Sequence, residues 1–250
     1  MVHMSTTEDI HIINKFRDMV AKRYEYDGLK ERFDLPPVIT REVVEEIKNY
    51  FLSTIYPPAV ERKQLEEAFR DLADYVRSPR KIWGLFGDMA RALFKFGRHF
   101  MQALRAGMDS LHSFLGAKNF EDSMAAIANK NGISPPISDD DFEDCLYQLP
   151  REEIEKFIGD VRNLFGAMVN TVLLKKTLDI LQHVIETMEK KPHTFPKEDV
   201  EGIRLGRSLL QSGYDIFSKY DDHTKHAIVD FIYKNEMWYV DYVYKKKEGA

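Results

Sequence analysis

The sequence predicts an all-α fold, a single globular bundle of about eight helices. Between Asp88 and His112, polar residues recur in steps of three or four, and the residues between them are mostly apolar or small. Such steps bring side chains back to one face of an α-helix, so this segment is typical of one long helix with a narrow polar edge. Helix start and stop residues recur along the chain, and no pair of alternating, strand-like segments is visible.

Two long helices are expected at the centre of the bundle, over about 81–116 and about 150–190. Gly116 is the natural end of the first, because glycine suits the residue that follows a helix. The apolar positions of the second change phase near residue 171. We therefore expect this helix to bend near Gly159 or Gly166.

Further helix boundaries follow from glycine, proline and oxygen-bearing side chains. The first helix is expected to end near Tyr26 or Gly28. Later helices are expected to begin after Thr40, Ser138 and Asp222, whose side chains can accept hydrogen bonds from the free amides of a first turn.

The C-terminal segment over 237–244 is compatible with two structures. Its tyrosines, valines and tryptophan are strand formers and could alternate as an edge strand. Ile228, Trp238 and Tyr242 also keep helical spacing, and no partner strand is visible elsewhere, so we predict a helix. The lysines at 245–247 suit a helix C-terminus.

Composition bounds the organisation of the protein. With 250 residues and 44% hydrophobic residues, the chain can form one domain over 1–250, within which residues 1–77 could form an N-terminal subdomain. The formal net charge of −5 argues against a nucleic-acid-binding protein. A single cysteine, Cys145, excludes an intramolecular disulfide and favours a cytoplasmic setting. No apolar run reaches the roughly 20 residues that a transmembrane helix needs, so we expect a soluble protein.

Four basic residues of the striped helix form a candidate site for an anion or an acidic partner: Arg91, Lys95, Arg98 and Arg105. The alternative is pairing with the protein's own acidic segments, such as 139–144. Helical ion pairs contribute only about 0.2 to 0.5 kcal/mol each, and charged edges on core helices are common. The pairing interpretation is therefore favoured.

Five large apolar residues of the same helix form a candidate site for an apolar ligand, such as a lipid or haem: Trp83, Phe86, Phe94, Phe100 and Met101. Pockets for such ligands are mostly hydrophobic, with a few polar anchors. The alternative is core packing, which the glycines of this helix favour because they let helices approach closely at a cost of about 1 kcal/mol each in propensity. We expect packing, and the sequence names no cofactor.

The best local pair of metal ligands is His223 and His226, which lie one turn apart. Two imidazoles at this spacing can hold a zinc ion if a third ligand arrives from another element. The sequence contains no HExxH, P-loop, GxSxG, GxGxxG or EF-hand motif. A metal-dependent enzyme is therefore the third hypothesis for this chain.

The leading hypothesis is a helical protein–protein interaction or adaptor protein without catalytic activity, with another protein or a second copy of the chain as partner. Tyrosine and tryptophan supply a large contact area with few rotatable bonds. Four of them near the C-terminus are interface candidates: Trp238, Tyr239, Tyr242 and Tyr244. The second hypothesis is a carrier of an apolar small molecule, or a peripheral membrane protein, that uses the aromatic 81–116 helix.

Overall fold

A computed structural model of the chain describes residues 6–56, 63, 64, 67, 116, 119–134 and 137–249, with side chains from residue 14 onward. Within these ranges the regular structure is helical and no residue lies in a strand, which confirms the all-α class. None of the helices in these ranges combines the length and the apolar character needed to cross a membrane. The described helices, in chain order, are α1 (Thr6–Arg23), α2 (Tyr26–Phe33), α3 (Arg41–Ile55), α4 (119–130), α5 (Asp139–Gln148), α6 (Arg151–Val169), α7 (Thr171–Glu189), α8 (Lys197–Phe217) and α9 (Asp222–Glu248).

The chain divides into two compact units that alternate along the sequence. The first unit comprises residues 1–59, 113–165 and 221–250, and the second comprises residues 60–112 and 166–220. The predicted single domain, with residues 1–77 as a subdomain, stays a prediction.

The core of the first unit is rich in aromatic rings. In this unit α1 packs against α3 and α5, and α5 packs against α9. Phe51 of α3 stacks on Phe165 of α6 with ring centroids 6.0 Å apart, and Tyr50 meets the same ring edge-on at 5.9 Å. Phe120 of α4 stacks on Phe157 of α6 at 4.0 Å. Burial of rings of this size is the main apolar contribution to the stability of such a core.

In the second unit, α7 and α8 pack against each other. Arg204 of α8 forms ion pairs with Glu189 of α7 and with Glu201 one turn earlier on α8. Arg207 donates from Nε to the backbone carbonyl of Leu178 at 3.3 Å. Arginines of α8 therefore connect the two helices along their polar margin.

The prediction of one continuous helix over 150–190 is wrong, because the chain breaks at Asn170 between α6 and α7. Asn170 has non-helical dihedral angles of φ −78° and ψ 74°, and its side-chain oxygen accepts a hydrogen bond from the Leu173 amide at 3.0 Å. The Asn170 side chain thus accepts a hydrogen bond from an amide of the first turn of α7, which would otherwise bond to a carbonyl of a continuing helix. Gly159 and Gly166, the predicted bend positions, both lie inside α6.

The first predicted helix is shorter than expected. It ends at Arg23 rather than near Tyr26 or Gly28, because Glu25 is extended and a second helix, α2, begins at Tyr26. Gly28 lies inside α2.

The other helix ends agree with the sequence, with one shift of a single residue. Thr40 caps α3, and Ser138 forms a capping box with Asp141 at the start of α5, as predicted. The cap of α9 is Asp221, which accepts from the Thr224 amide at 2.7 Å, and the prediction of Asp222 is wrong. Asp222 instead binds the largely buried Lys225 ammonium at 2.9 Å.

The segment over 237–244 is helical, as predicted, and forms the second half of α9. The predicted helix over 81–116, including the stripe from Asp88 to His112, lies outside the described residues except for Gly116, which is helical. A side chain at Gly116 would overlap the Asp160 carboxylate, which would have to move to make room for it.

We expect Asn170→Ala to lower the free energy of unfolding by about 1 kcal/mol, because it removes the side-chain acceptor at the start of α7. The control is Asn170→Asp, which keeps an oxygen at the cap and opposes the helix dipole. Urea denaturation followed by circular dichroism measures both. Equal stability of the alanine variant and the wild type would contradict a capping role for Asn170.

Candidate functional site

Aromatic and basic side chains from α2 and α9 meet on the surface of the first unit. Trp238 and Tyr242 lie one turn apart on α9, and their rings stack with centroids 5.4 Å apart and planes 13° from parallel. Phe33 of α2 meets Trp238 edge-on at 6.4 Å. The Arg32 guanidinium lies 3.8 Å from the centroid of the Trp238 ring, and its Nε donates to the Gly28 carbonyl at 3.1 Å.

Two lysines extend this group along α9. Lys234 lies one turn before Trp238, and Lys245 lies three residues after Tyr242, so both share a helix face with the rings. We call this group the basic aromatic surface; it consists of Arg32, Phe33, Lys234, Trp238, Tyr242 and Lys245. Tyr242 is 41% exposed, and within the described ranges only Tyr147 and Val172 are other large hydrophobic residues with comparable exposure.

The three cations of the basic aromatic surface are not neutralised within the described part of the chain. Arg32, Lys234 and Lys245 are all exposed, and none of them forms an ion pair with a described residue. Asp241, one turn before Lys245, is bound by Arg151 at 2.6 Å. The surface therefore combines exposed aromatic area with uncompensated positive charge.

The two lysines that follow Lys245 have a different environment. Lys246 contacts Asp140 at 3.1 Å and Glu143 at 2.6 Å, and Lys247 contacts Asp144 at 2.6 Å. Its hydrogen bonds to the carboxylates of Glu143 and Asp140 raise the pKa of Lys246. Residues 139–144, which the sequence offered as partners for the striped helix, thus bind the end of α9.

The other two interface candidates make contacts within the first unit. Tyr239 lies under the Arg23 guanidinium, 4.6 Å from its ring centroid, and burial raises the pKa of Tyr239 to about 12. Tyr244 donates from its hydroxyl to the Leu149 carbonyl at 2.8 Å and packs against Tyr147 with centroids 5.1 Å apart. Of the four candidates, the structure brings only Trp238 and Tyr242 together on the basic aromatic surface.

A buried carboxylate lies behind this surface. Glu236 is 2% exposed, and it accepts hydrogen bonds from the Arg23 guanidinium at 2.9 Å and from the Tyr24 hydroxyl at 2.8 Å. Burial, and then the negative charge of Glu236, raises the pKa of Tyr24 well above its ordinary value. Burial on its own would lower the pKa of Arg23, but Glu236 and the neighbouring tyrosines raise it, and the net shift is upward. Tyr24 therefore remains a donor and Arg23 remains charged at all ordinary pH values.

The predicted metal ligands are not part of a metal site in the described residues. His223 and His226 are both exposed in the first turns of α9. No group of three or more histidine, cysteine, aspartate or glutamate side chains in the described ranges is placed to hold a metal ion.

The other two predicted sites lie outside the described residues. This holds for the anion-site candidates Arg91, Lys95, Arg98 and Arg105, and for the apolar-ligand candidates Trp83, Phe86, Phe94, Phe100 and Met101. Both remain predictions.

The second unit contains a polar cleft of about 690 Å³ lined mainly by α8. Its lining includes Lys197, Glu198, Glu201 and Arg204. Arg204 of this lining binds Glu201 and also Glu189 of α7, so the cleft carries charges of both signs. It gives no preference for a particular ligand.

Sequence reasoning missed Arg32, Phe33 and Lys234, and it missed the buried Glu236. A signal for Glu236 was present, because the buried residues Ile232 and Val240 lie one turn on either side of it and place it on the apolar face of α9. The sequence held no comparable signal that α2 would bring Arg32 to Trp238.

Cys145 is fully buried in α5. Burial, together with the nearby carboxylates of Asp141 and Asp144, raises the pKa of its thiol to about 11. Because the thiolate is the nucleophilic form, Cys145 is unsuited to covalent catalysis at neutral pH.

We expect Glu236→Ala to cost about 3 to 5 kcal/mol of stability, because it leaves the Arg23 charge and the Tyr24 hydroxyl buried without their acceptor. Glu236→Gln keeps an acceptor and should cost less. Urea denaturation measures both, with Glu248→Ala on the exposed end of α9 as a control expected within about 0.5 kcal/mol of the wild type. A loss of less than about 1 kcal/mol in Glu236→Ala would refute this role.

Cys145 should react with a disulfide reagent such as DTNB at least about a hundredfold more slowly at pH 8 in the native protein than in denaturant. The folded pKa lies above the unfolded value of about 8.5, so the neutral thiol stabilises the fold below that pH. This contribution is lost as the pH rises from about 8.5 towards 11. Rapid stoichiometric labelling of the native protein at pH 8 would contradict the burial of Cys145.

No protein-family model, curated protein or solved structure matches this chain. The chemistry of the basic aromatic surface itself is therefore the basis for a functional conclusion.

Proposed function

We propose that this protein is a helical protein-interaction module that binds its partner through the basic aromatic surface. The observation that carries the proposal is the stack of Trp238 and Tyr242. Arg32 lies over the Trp238 ring and Phe33 meets that ring edge-on, while Tyr242 stays 41% exposed. Its proposed setting is the cytoplasm, where a lone buried thiol such as Cys145 stays reduced.

The composition of the surface supports this role. Tryptophan, tyrosine and arginine are the residue types that most often carry the binding energy of protein interfaces. Tyr242 and Trp238 provide ring area, and Arg32 provides a guanidinium whose position is fixed by the Trp238 ring and the Gly28 carbonyl. A partner can bury this area and gain hydrogen bonds from the same group of side chains.

The order of the surface supports it as well. Fixing a flexible side chain at an interface costs about 0.5 to 1.5 kcal/mol, and this cost reduces affinity. The ring stack and the Arg32 contacts fix these side chains before any partner binds. A preordered aromatic group of this kind is better suited to binding than the same residues on a mobile loop.

Site-specific photo-crosslinking in the cells that make the protein tests the proposal. Tyr242 is replaced by p-benzoylphenylalanine, and Lys190, an exposed residue at the end of α7, is replaced in the same way as the control. We expect a discrete crosslinked protein from position 242 and none from position 190. The identified partner, once purified, should lose at least about thirtyfold in affinity for Trp238→Ala, as a hot-spot residue does.

Equal crosslinking from both positions, or none from position 242, would overturn the proposal. Thermal unfolding of Trp238→Ala checks that the variant is folded. Tyr242→Ser, which changes the more exposed ring, provides a second variant that should weaken binding without loss of the core.

A further inference from the structure

We infer that the basic aromatic surface binds an acidic protein segment that carries an apolar or aromatic side chain among its carboxylates. This inference rests on the proposed function and adds the chemistry of the partner. Two observations support it: Lys234 and Lys245 of α9 form no ion pair with a described residue, and Tyr242 remains exposed.

Three consecutive lysines near the end of α9 differ in their partners. Lys246 and Lys247 are bound by carboxylates of α5, whereas Lys245, on the other side of the helix, has no ion pair in the described ranges. Lys234 lies three turns earlier on the same face as Lys245, and Arg32 lies between them over Trp238. The three cations of the basic aromatic surface are therefore complementary in charge to a segment with several carboxylates.

The exposed ring of Tyr242 indicates that the partner also has an apolar side chain. Tyr242 is 41% exposed. Burial of apolar surface stabilises a complex by about 25 cal/mol for each Å² removed from water. A purely acidic segment would leave this area unused. A leucine or phenylalanine between the carboxylates would cover Tyr242 while the carboxylates reach the flanking cations.

Nucleic acid fits this surface less well. Surfaces for single-stranded nucleic acid stack successive bases on several aromatic rings. Arg32 and Tyr242 already contact the Trp238 ring, so of this pair Tyr242 is the more exposed ring that a base could reach.

An anionic membrane and a second copy of the chain also fit less well. Lipid headgroups are typically recognised by clusters of about 4 to 8 basic residues, more than this surface offers. The most acidic segment of the chain, residues 139–144, is already bound by Lys22, Lys246 and Lys247. A second copy would have to break these ion pairs to present that segment.

NMR spectroscopy of the full chain tests the inference directly. The probe is a short capped peptide in which glutamates alternate with leucine and phenylalanine, and the readout is the indole N–H signal of Trp238, assigned with Trp238→Phe. We expect a saturable shift of this signal and an affinity that falls as salt is added. Lys234→Glu combined with Lys245→Glu should weaken binding by about tenfold or more.

The matched control is Lys190→Glu combined with Lys191→Glu, which changes the net charge equally on exposed residues of another surface. It should change the affinity by less than about twofold if charge acts locally. Equal loss in both double variants, or equal binding of a peptide with lysine in place of glutamate, would overturn the inference.

Three further measurements test whether a membrane, a nucleic acid or a second copy of the chain binds this surface instead. Preferential binding of phosphatidylserine vesicles or of oligouridine at this surface, or self-association that Tyr242→Ser abolishes, would overturn the inference in favour of that occupant. If the glutamate peptide fails while position 242 still gives its discrete crosslink, the proposed function stands and the acidic partner is wrong. If both fail, the proposed function is wrong as well.

Discussion

The buried carboxylate of Glu236 is the constraint on which the first unit depends. A charge in the middle of a buried helix face is tolerated only when it is paired and hydrogen-bonded, and Arg23 and Tyr24 at the end of α1 provide both. The Arg23 guanidinium also lies against Tyr239 of α9 and Phe142 of α5, at 4.6 and 5.5 Å from the ring centroids. One carboxylate therefore determines how α1 and α9 meet, because moving either helix would leave a charge or a donor buried without its partner. Helix α5 packs on the same guanidinium through Phe142.

The same constraint sets the phase of α9 and the position of α2. With Glu236 facing inward, Val240 and Val243 follow it into the core, and Trp238 and Tyr242 are left at the edge of the buried face. Because α1 ends at the Glu236 contact, α2 begins only two residues after Tyr24, and its last turn reaches Trp238. The exposed surface proposed to bind a partner is thus ordered by a polar contact in the interior. Replacement of that contact by apolar residues could preserve stability while it loosened the registration between α2 and α9.

Local structure was largely predictable from the sequence, and the contacts between distant segments were not. The helical class, the helix over 237–244 and the caps at Thr40 and Ser138 follow from spacing and side-chain chemistry within a few residues. The sequence placed the cap of α9 at the wrong aspartate because Asp221 and Asp222 are equally able to cap a helix. Only the folded chain shows that Asp222 forms an ion pair with Lys225. Trp238 and Tyr242 were identified as interface candidates from their type alone, but the Arg32 contact joins residues more than 200 positions apart, and no local pattern encodes it.

The end of α9 shows how one helix can separate a structural role from a binding role. Lys246 and Lys247 neutralise the acidic first turns of α5, where both helix dipoles favour the pairing: carboxylates at an N-terminus and ammonium groups at a C-terminus. Lys245 shares the favourable dipole position but lies on the helix face of Trp238 and Tyr242, and it forms no ion pair with a described residue. Exposed ion pairs contribute only about 0 to 1 kcal/mol, so leaving Lys245 unpaired costs the fold little. At a binding surface the same unpaired charge speeds encounter with an acidic partner and discourages basic ones, which is a benefit that an internal ion pair would remove.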